Sequence, residues 1–354
     1  MIPDIGISNG VMSVILNYAA AMLDDIKFDV VYFAETPKTR QADIEALGGK
    51  VYKVDKPSPK DLLTGKMNSF FANCNTKWEA IHIHCPHFAV FIAPYAKKAG
   101  IKKVFVHCHT TEFSLKGNAK RNQLLSLYAK YFIKNKFACS LAAGRVWYGN
   151  QNFEVLNNAI DCKKYSFNEN KRKMYREEMH LTDSLVVAHI GRTDVTQKNH
   201  PFILRVFAQI KKMKKNAVLM LIGASQSDKM LKLCKDLNIT DSVKFLGVRN
   251  DVADLLNAAD VFLFPSISEG LPVSVVEAQA SGLGVLMSDS VTDEVISTDL
   301  VKTKFLHDSV SLWAEECIKL SNIERRDTSA ELGNAGWNIF DSAEKLVNSY
   351  KNQV

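Results

Sequence analysis

The chain has 354 residues, which is too long for one ordinary hydrophobic core and suits two domains. Apolar residues make up 47% and charged residues 23%, an ordinary soluble balance, and no apolar run approaches the length of a membrane-spanning helix. The net charge of +7 is uneven: residues 1–160 carry 20 Lys/Arg against 12 Asp/Glu, while the remainder is near neutral.

The opening, "MIPDIGISNG", lacks a basic stretch followed by an apolar core, so no signal peptide is expected. A doubly wound domain ordinarily begins with a central strand followed by a Gly-rich turn. Here "GISNG" (6–10) follows only "MIPDI". The first strand is therefore expected to be absent or a stub, from a start codon assigned too far downstream or a truncated gene.

A helical pattern then spans 9–23. Strand candidates follow at 28–33, 50–54, 80–84, 103–107, 136–140 and 153–157, with a further helix at 122–133. The basic residues gather at Lys97, Lys98, Lys102 and Lys103, then at Lys116, Lys120, Arg121, Lys130, Lys134 and Lys136. This is either a solvated face or a surface that meets an anionic membrane or acceptor. No nucleic-acid motif accompanies the charge, so no nucleic-acid partner is expected.

A polar stretch without clear period, 157–173, marks the domain break. The second half reads as strands at 185–191, 217–223, 243–247, 261–266 and 284–288. Several are continuous and β-branched, which suits strands buried on both faces of a parallel sheet. An amphipathic helix pattern closes the chain at 334–352. The alternation implies an α/β class with two doubly wound domains. The seven Cys are scattered, with no C-x-x-C pair, and read as reduced thiols in a cytoplasmic protein.

Three stretches carry candidate chemistry. In "SEGLPVSVVEAQASG" (268–282), Pro272 is placed to open a helix that stops at Ser281-Gly282. The helix start would favour an anion, with Gly270 allowing close backbone approach. Glu269 stands before the helix and Glu277 about one turn inside it. A sugar nucleotide would thus meet a carboxylate on each flank of its diphosphate. Ser274-x-x-Glu277 also spells a capping box, in which Glu277 would merely cap.

In "HIGRTDVTQKNHP" (189–201), Arg192 and Lys198 flank a polar loop after a strand ending at Gly191. Two cations there suit a departing diphosphate, or are simply surface charges. In "VHCHTTEF" (106–113), His107 and His109 alternate along a strand end. Together with "HIHCPH" (82–87) they raise the question of a metal. No carboxylate completes a set at ligand spacing, and structural histidines are the plainer reading. No G-x-S-x-G or P-loop appears.

These stretches resemble family 4 glycosyltransferases of the GT-B fold, in the group that builds bacterial exopolysaccharide or capsule. The likeness rests on "SEGLPVSVVEAQASG", "GRTDVTQKNHP", "FLGVRNDVADLLNAADVFLFPS", "VFVHCHTTEFS" and "FACSLAAGRVWYG" followed by "VLNNAIDCKKY". It spans nearly the whole chain and is strongest over 185–290. The resemblance implies two Rossmann-like domains facing across a cleft: an acceptor domain at 1–162, a donor domain at 163–335, and a helix at 336–354 crossing back to the first.

It further implies transfer of a hexose from a nucleotide sugar to a saccharide hydroxyl, with retention and with neither metal nor cofactor. The basic patch of the first domain adds the expectation of a lipid-linked acceptor there, with the enzyme cytoplasmic and peripheral on the inner membrane face. By motif, Arg192 and Lys198 would hold the diphosphate and Glu277 the ribose. Glu269 would lie near the reacting carbon, and Gly191, Gly270 and Leu271 would line the donor. His109 would orient the donor sugar from the other domain. Val248 and Arg249 would edge the base, and Gly10 would border phosphate and acceptor. Ala159 stands where the family usually has Gly, and Met12 where it often has Glu. Two rivals stay open: a nucleotide-sugar epimerase on the same scaffold, and a non-catalytic or truncated relative.

Overall fold

The computed structural model describes residues 1–7, 9–60, 64–74, 76–114, 118–193 and 196–352. Lys116, residue 8 of the first loop, and residues 194 and 195 of the segment after Gly191 lie outside these.

Along the chain the elements are α1 (Gly10–Ala21), β1 (Val30–Tyr32), α2 (Gln41–Ala46), β2 (Val51–Lys53), α3 (Lys66–Asn73), β3 (Ala80–Ile83), α4 (Ala89–Lys98), β4 (Lys103–Cys108), α5 (Ala119–Phe132), β5 (Asn135–Ala138), α6 (Leu141–Tyr148) and β6 (Glu154–Val155). They continue as α7 (Cys162–Tyr165), α8 (Glu169–Glu178), β7 (Val186–Ile190), α9 (His200–Met213), β8 (Val218–Ile222), α10 (Asp228–Asp236), β9 (Val243–Gly247), α11 (Val252–Ala258), β10 (Val261–Phe264) and α12 (Val273–Ala280). The last are β11 (Gly284–Ser288), β12 (Val301–Lys304), α13 (Val310–Leu320), α14 (Ser329–Asn334) and α15 (Ile339–Asn352).

The chain divides into two compact units, Met1–Ala159 with Ile339–Val354, and Ile160–Asn338. The sequence boundaries at 162 and 336 thus shift by three residues at each crossing. Backbone pairing decides this: the Ile160 amide donates to the Trp337 carbonyl at 2.9 Å, so both belong to the second unit. Ala159, the last residue before the crossing, is fully buried.

In the first unit, β1 and β2 form a parallel pair, and β3, β4, β5 and β6 form a parallel sheet in that order. The expected stub is present as Met1 and Ile2. The Ile2 amide donates to Val31 and the Met1 carbonyl accepts from His84, both at 3.0 Å, so these two residues touch β1 and the end of β3. Ile2, Ile5 and Met12 pack with Val30 and Ile44 in one core cluster. Met12 is fully buried there, where a carboxylate would be desolvated. A second cluster joins Val14, Tyr18 and Met22 of α1 and its end to Ile339, Ala343, Leu346 and Val347 of α15. That contact is why the last helix belongs to this unit.

The second unit is a six-stranded parallel sheet, ordered β12-β11-β10-β7-β8-β9. The continuous apolar runs are its central strands, and β10 and β11 are buried at every position. Each Val, Leu, Ile or Phe taken out of water there contributes roughly 1.5–3 kcal/mol. Strand β12 is absent from the sequence expectation. Its residues, "VKTK", lie at the sheet edge with Val301 alone of the four buried, and carry no apolar run.

Candidate active site

The second unit gathers its candidate residues at the carboxyl ends of neighbouring strands. Strand β7 gives way to Gly191, whose amide donates to Ile222 at the end of β8. Beyond β8, the Gly223 amide donates to Gly247, which ends β9. A β-carbon placed on Gly191 would stand 2.7 Å from His189 Nε2 and 2.9 Å from Lys198 Cγ. Glycine here lets the loop that carries Lys198 close onto the strand tip.

That loop is fixed from two sides. The Ile267 amide donates to Gln197 at 2.8 Å, and the Asn199 side chain donates to Pro265 at 3.1 Å. Asn199 takes the left-handed conformation, φ 56°, immediately before α9. His189 and His200 lie beneath, their rings edge to face at 5.1 Å. Burial lowers the His200 pKa to about 4 and pushes His189 well below its usual value. Both are therefore neutral supports rather than additional cations.

Lys198 and Glu269 meet. Their charged atoms are 2.9 Å apart, and both side chains are largely covered. The Lys198 ammonium also sits 4.7 Å from the centre of the Phe264 ring. One candidate cation and one candidate carboxylate thus neutralise each other at the strand tips, before a ligand arrives. Arg192, on the residue after Gly191, is exposed.

Helix α12 begins at Val273, with Pro272 in the capping position. Ser274 lies inside the helix, and Pro272 makes no side-chain capping bond, so the capping-box alternative does not describe this turn. Glu277 has a different partner. Its Oε1 accepts from the Tyr165 hydroxyl at 2.8 Å. Tyr165 ends α7, a short helix capped by Asp161, and its carbonyl accepts from Ser281 Oγ at 2.8 Å. The phenol is thereby anchored at both ends of its residue. Burial raises the Glu277 pKa above the usual glutamate range, opposed by the Tyr165 bond and by Lys164. The phenol's own pKa is pushed well up, by burial and then by Glu277, so it remains a donor.

Helix α12 stops as the sequence implies, with Ser281 at the cap and Gly282 at φ 65°. Gly270 and Leu271 lie in the turn between β10 and α12, with Leu271 buried. Val248 and Arg249 follow β9 on an exposed loop, where Arg249 folds back onto Asp251 with its Nε 2.7 Å from Oδ1.

In the first unit, Gly10 is the first residue of α1, exposed, behind Asn9, whose side chain caps Val11 and Met12. His109 follows β4. Its Nε2 lies 2.9 Å from His84 Nδ1. Burial lowers its pKa to about 4, against a hydrogen bond with Asn158, so it acts as a neutral hydrogen-bonding group near neutral pH. His82, His84 and His107 each bring a nitrogen within 4.8 Å of the others, a donor set able to hold a cation. Burial is the first cause of a lowered pKa at all three, so each is neutral.

Sequence reasoning missed two supports. Tyr165 lies in the stretch read as a featureless boundary, and its contact spans 112 positions. Asp260, ahead of β10, receives Arg172, Arg176 (3.3 Å) and the Val186 amide (2.7 Å), tying α8 to the start of β7. Neither contact has a local signal.

The comparisons agree with this architecture. Residues 184–322, which hold the second-unit site, match the family model described as glycosyl transferases group 1. A protein of Bacillus subtilis (strain 168) named as the glycosyltransferase EpsF is 29% identical over 343 residues, covering 92% of this chain and 88% of that one. The UDP-Gal:alpha-D-GlcNAc-diphosphoundecaprenol alpha-1,3-galactosyltransferase of Escherichia coli is 25% identical over 307 residues, covering 78% of this chain and 76% of that one. Among solved structures, Anabaena HepE in complex with UDP superposes with a TM-score of 0.72 at 16% identity, covering 99% of this chain and 94% of that one. A glycosyltransferase from Rickettsia africae reaches 0.75 at 13% identity, over 100% and 98%. Fold and site together define a glycosyltransferase with the GT-B fold. Within that class, residues 184–322 carry the group 1 match, and the chain is similar to EpsF along most of its length. Among the described residues, no helix is long and apolar enough to cross a membrane.

Proposed function

We propose that this glycosyltransferase moves a hexose from a nucleotide-sugar donor to a hydroxyl of a lipid-linked saccharide, with retention at the anomeric carbon, in the synthesis of a surface polysaccharide. The observation that carries the reading is the Lys198–Glu269 pair at the strand tips, on the matched segment that also holds Glu277. A donor diphosphate would draw Lys198 from Glu269 and take Arg192 as a second cation. As the bond to the sugar breaks, negative charge grows on the leaving phosphate, where fixed cations act most strongly. Glu269, released from Lys198, would accept from a sugar hydroxyl. Glu277, held by Tyr165, would use its second oxygen for the ribose diol.

Two cations beside a helix start supply what a divalent ion would otherwise supply, so the reaction is proposed to be metal-independent. The acceptor class is supported by the relative that acts on a diphosphoundecaprenol-linked sugar. UDP-sugars head the donor panel because the HepE structure contains UDP.

The test is a thermal-shift panel of UDP- and GDP-sugars, followed by product analysis with a lipid-diphosphate saccharide. One donor should raise Tm, as any ligand of the folded state does. Transfer should proceed unchanged in EDTA. Donor turnover without acceptor would instead indicate the epimerase alternative. Absence of stabilisation by every nucleotide sugar would reject the reading.

A further inference from the structure

Three imidazoles stand within the apolar core of the first unit. Successive side chains of a strand point to opposite faces, so His82 and His84 share one face of the sheet, and so do Phe105, His107 and His109. Strands β3 and β4 run parallel with His82 beside Phe105, which brings both sets to the same face. Helices α1 and α15 cover that face with Val14, Tyr18, Leu346 and Tyr350. The His82 ring centre lies 4.4 Å from that of His84 and 5.4 Å from that of His107, and the last two are 5.7 Å apart. A cavity of about 30 Å³ is lined by all three rings and by Tyr350.

Each ring has one nitrogen engaged and one left over. His82 Nδ1 lies 2.5 Å from the Tyr350 hydroxyl, and His84 Nδ1 lies 2.9 Å from His109 Nε2. His107 makes a hydrogen bond to the backbone at Leu156. The Nε2 atoms of His82 and His107 are buried with no hydrogen-bond partner. Buried polar atoms are nearly always satisfied, so two such orphans on one small cavity mark a place for a ligand. With the engaged nitrogens donating, the remaining three offer only lone pairs. A water molecule has two protons to give and leaves one of the three unserved, whereas a cation serves all three.

We propose that His82, His84 and His107 form a site for a transition-metal ion of the zinc class, which pins β3 to β4 and, through Tyr350, the closing helix α15 to the sheet. An all-imidazole set suits zinc and its neighbours rather than calcium or magnesium, which take oxygen ligands. Among the described residues no carboxylate joins the group. Zinc–nitrogen bonds of about 2.0–2.1 Å draw the three nitrogens to roughly 3.3 Å of one another, and the cavity gives the rings room to turn inward. A ligating ring ordinarily donates its other N–H to a second partner, the place that Tyr350, His109 and Leu156 take here. All three rings are neutral near neutral pH, so no proton has to leave before the metal binds. The ion also fixes a tautomer next to the site: with zinc on His84 Nε2, the proton stays on Nδ1 and is donated to His109 Nε2. Sugar transfer is assigned no metal above, and this ion acts on the packing of the first unit alone.

The test is calorimetric titration of the full chain, first stripped with EDTA, with zinc chloride and separately with magnesium chloride. One zinc per chain should bind with a Kd of about 1 μM or tighter and raise Tm, and magnesium should do neither. Tyr350→Phe keeps the ring that packs on Phe105 and should weaken zinc about tenfold or more. His107→Asn should weaken it about a hundredfold or more. His180→Gln/His307→Gln changes two exposed histidines and should bind zinc as the wild type does. Circular dichroism checks that each variant is folded. Cobalt(II) absorption by the wild type needs no variant at all, and the intense visible bands of a four-coordinate site are expected. Absence of zinc binding by the wild type would overturn the inference, as would the weak spectrum of six-coordinate cobalt. So would a zinc affinity that survives His107→Asn, or one that is lost in His180→Gln/His307→Gln, which would place the ion on the surface.

Discussion

Tyr165→Phe isolates the support beneath Glu277. The change removes one hydroxyl and keeps the ring, so packing against α12 is preserved while Glu277 Oε1 loses the donor 2.8 Å away. A hydrogen bond to a charged group contributes about 1.5–3 kcal/mol, and one pKa unit corresponds to about 1.4 kcal/mol. The glutamate pKa, already raised by burial, should therefore climb by about 1–2 further units. The sign is set by linkage. A carboxyl with a raised folded pKa binds its proton more tightly when folded, so it favours folding at low pH and that contribution is lost as pH rises through the folded pKa.

Donor binding runs the other way, because only the carboxylate accepts both ribose hydroxyls. UDP affinity should weaken as pH falls through the Glu277 pKa, and in Tyr165→Phe that midpoint should move to higher pH. Calorimetric titration with UDP from about pH 5 to pH 8.5, beside Tm of the free protein over the same range, reads both effects. The variant should lose most stability at the alkaline end. Superimposable pH profiles for variant and wild type, in Tm and in UDP affinity, would refute this account of Tyr165.

Other changes test separate parts of the site. Arg192→Gln/Lys198→Gln should weaken UDP binding by at least about tenfold, since each cation is assigned a charge-assisted contact to phosphate; unchanged affinity by calorimetry would remove both from the diphosphate site. Gly282→Ala places a β-carbon at φ 65° and 2.6 Å from the Arg326 carbonyl, and should cost at least about 2 kcal/mol in a urea melt. Asp260→Ala leaves Arg172 and Arg176 without their shared carboxylate. It should cost about 3 kcal/mol, lowering Tm by roughly 6–12 °C, with UDP affinity preserved below the transition.

Much of this protein was written in local pattern. The runs at 217–223, 261–266 and 284–288 are buried strands because continuous apolar residues have no other stable place than a sheet covered on both faces. Pro272 and Ser281-Gly282 bracketed α12, since a proline's missing donor and a glycine's access to positive φ act within a few residues. Gly191, Arg192, Lys198, Glu269, Gly270 and Glu277 could be nominated from spacing and from family likeness. Their partners could not. That Lys198 meets Glu269, that Glu277 leans on Tyr165 rather than on a helix cap, and that α5 turns its leucines outward depend on how distant segments pack. Periodicity states that a helix has two faces, and the rest of the fold decides which one meets water. The pairing of side chains 71 or 112 positions apart is settled only when the strands between them have stacked into one sheet.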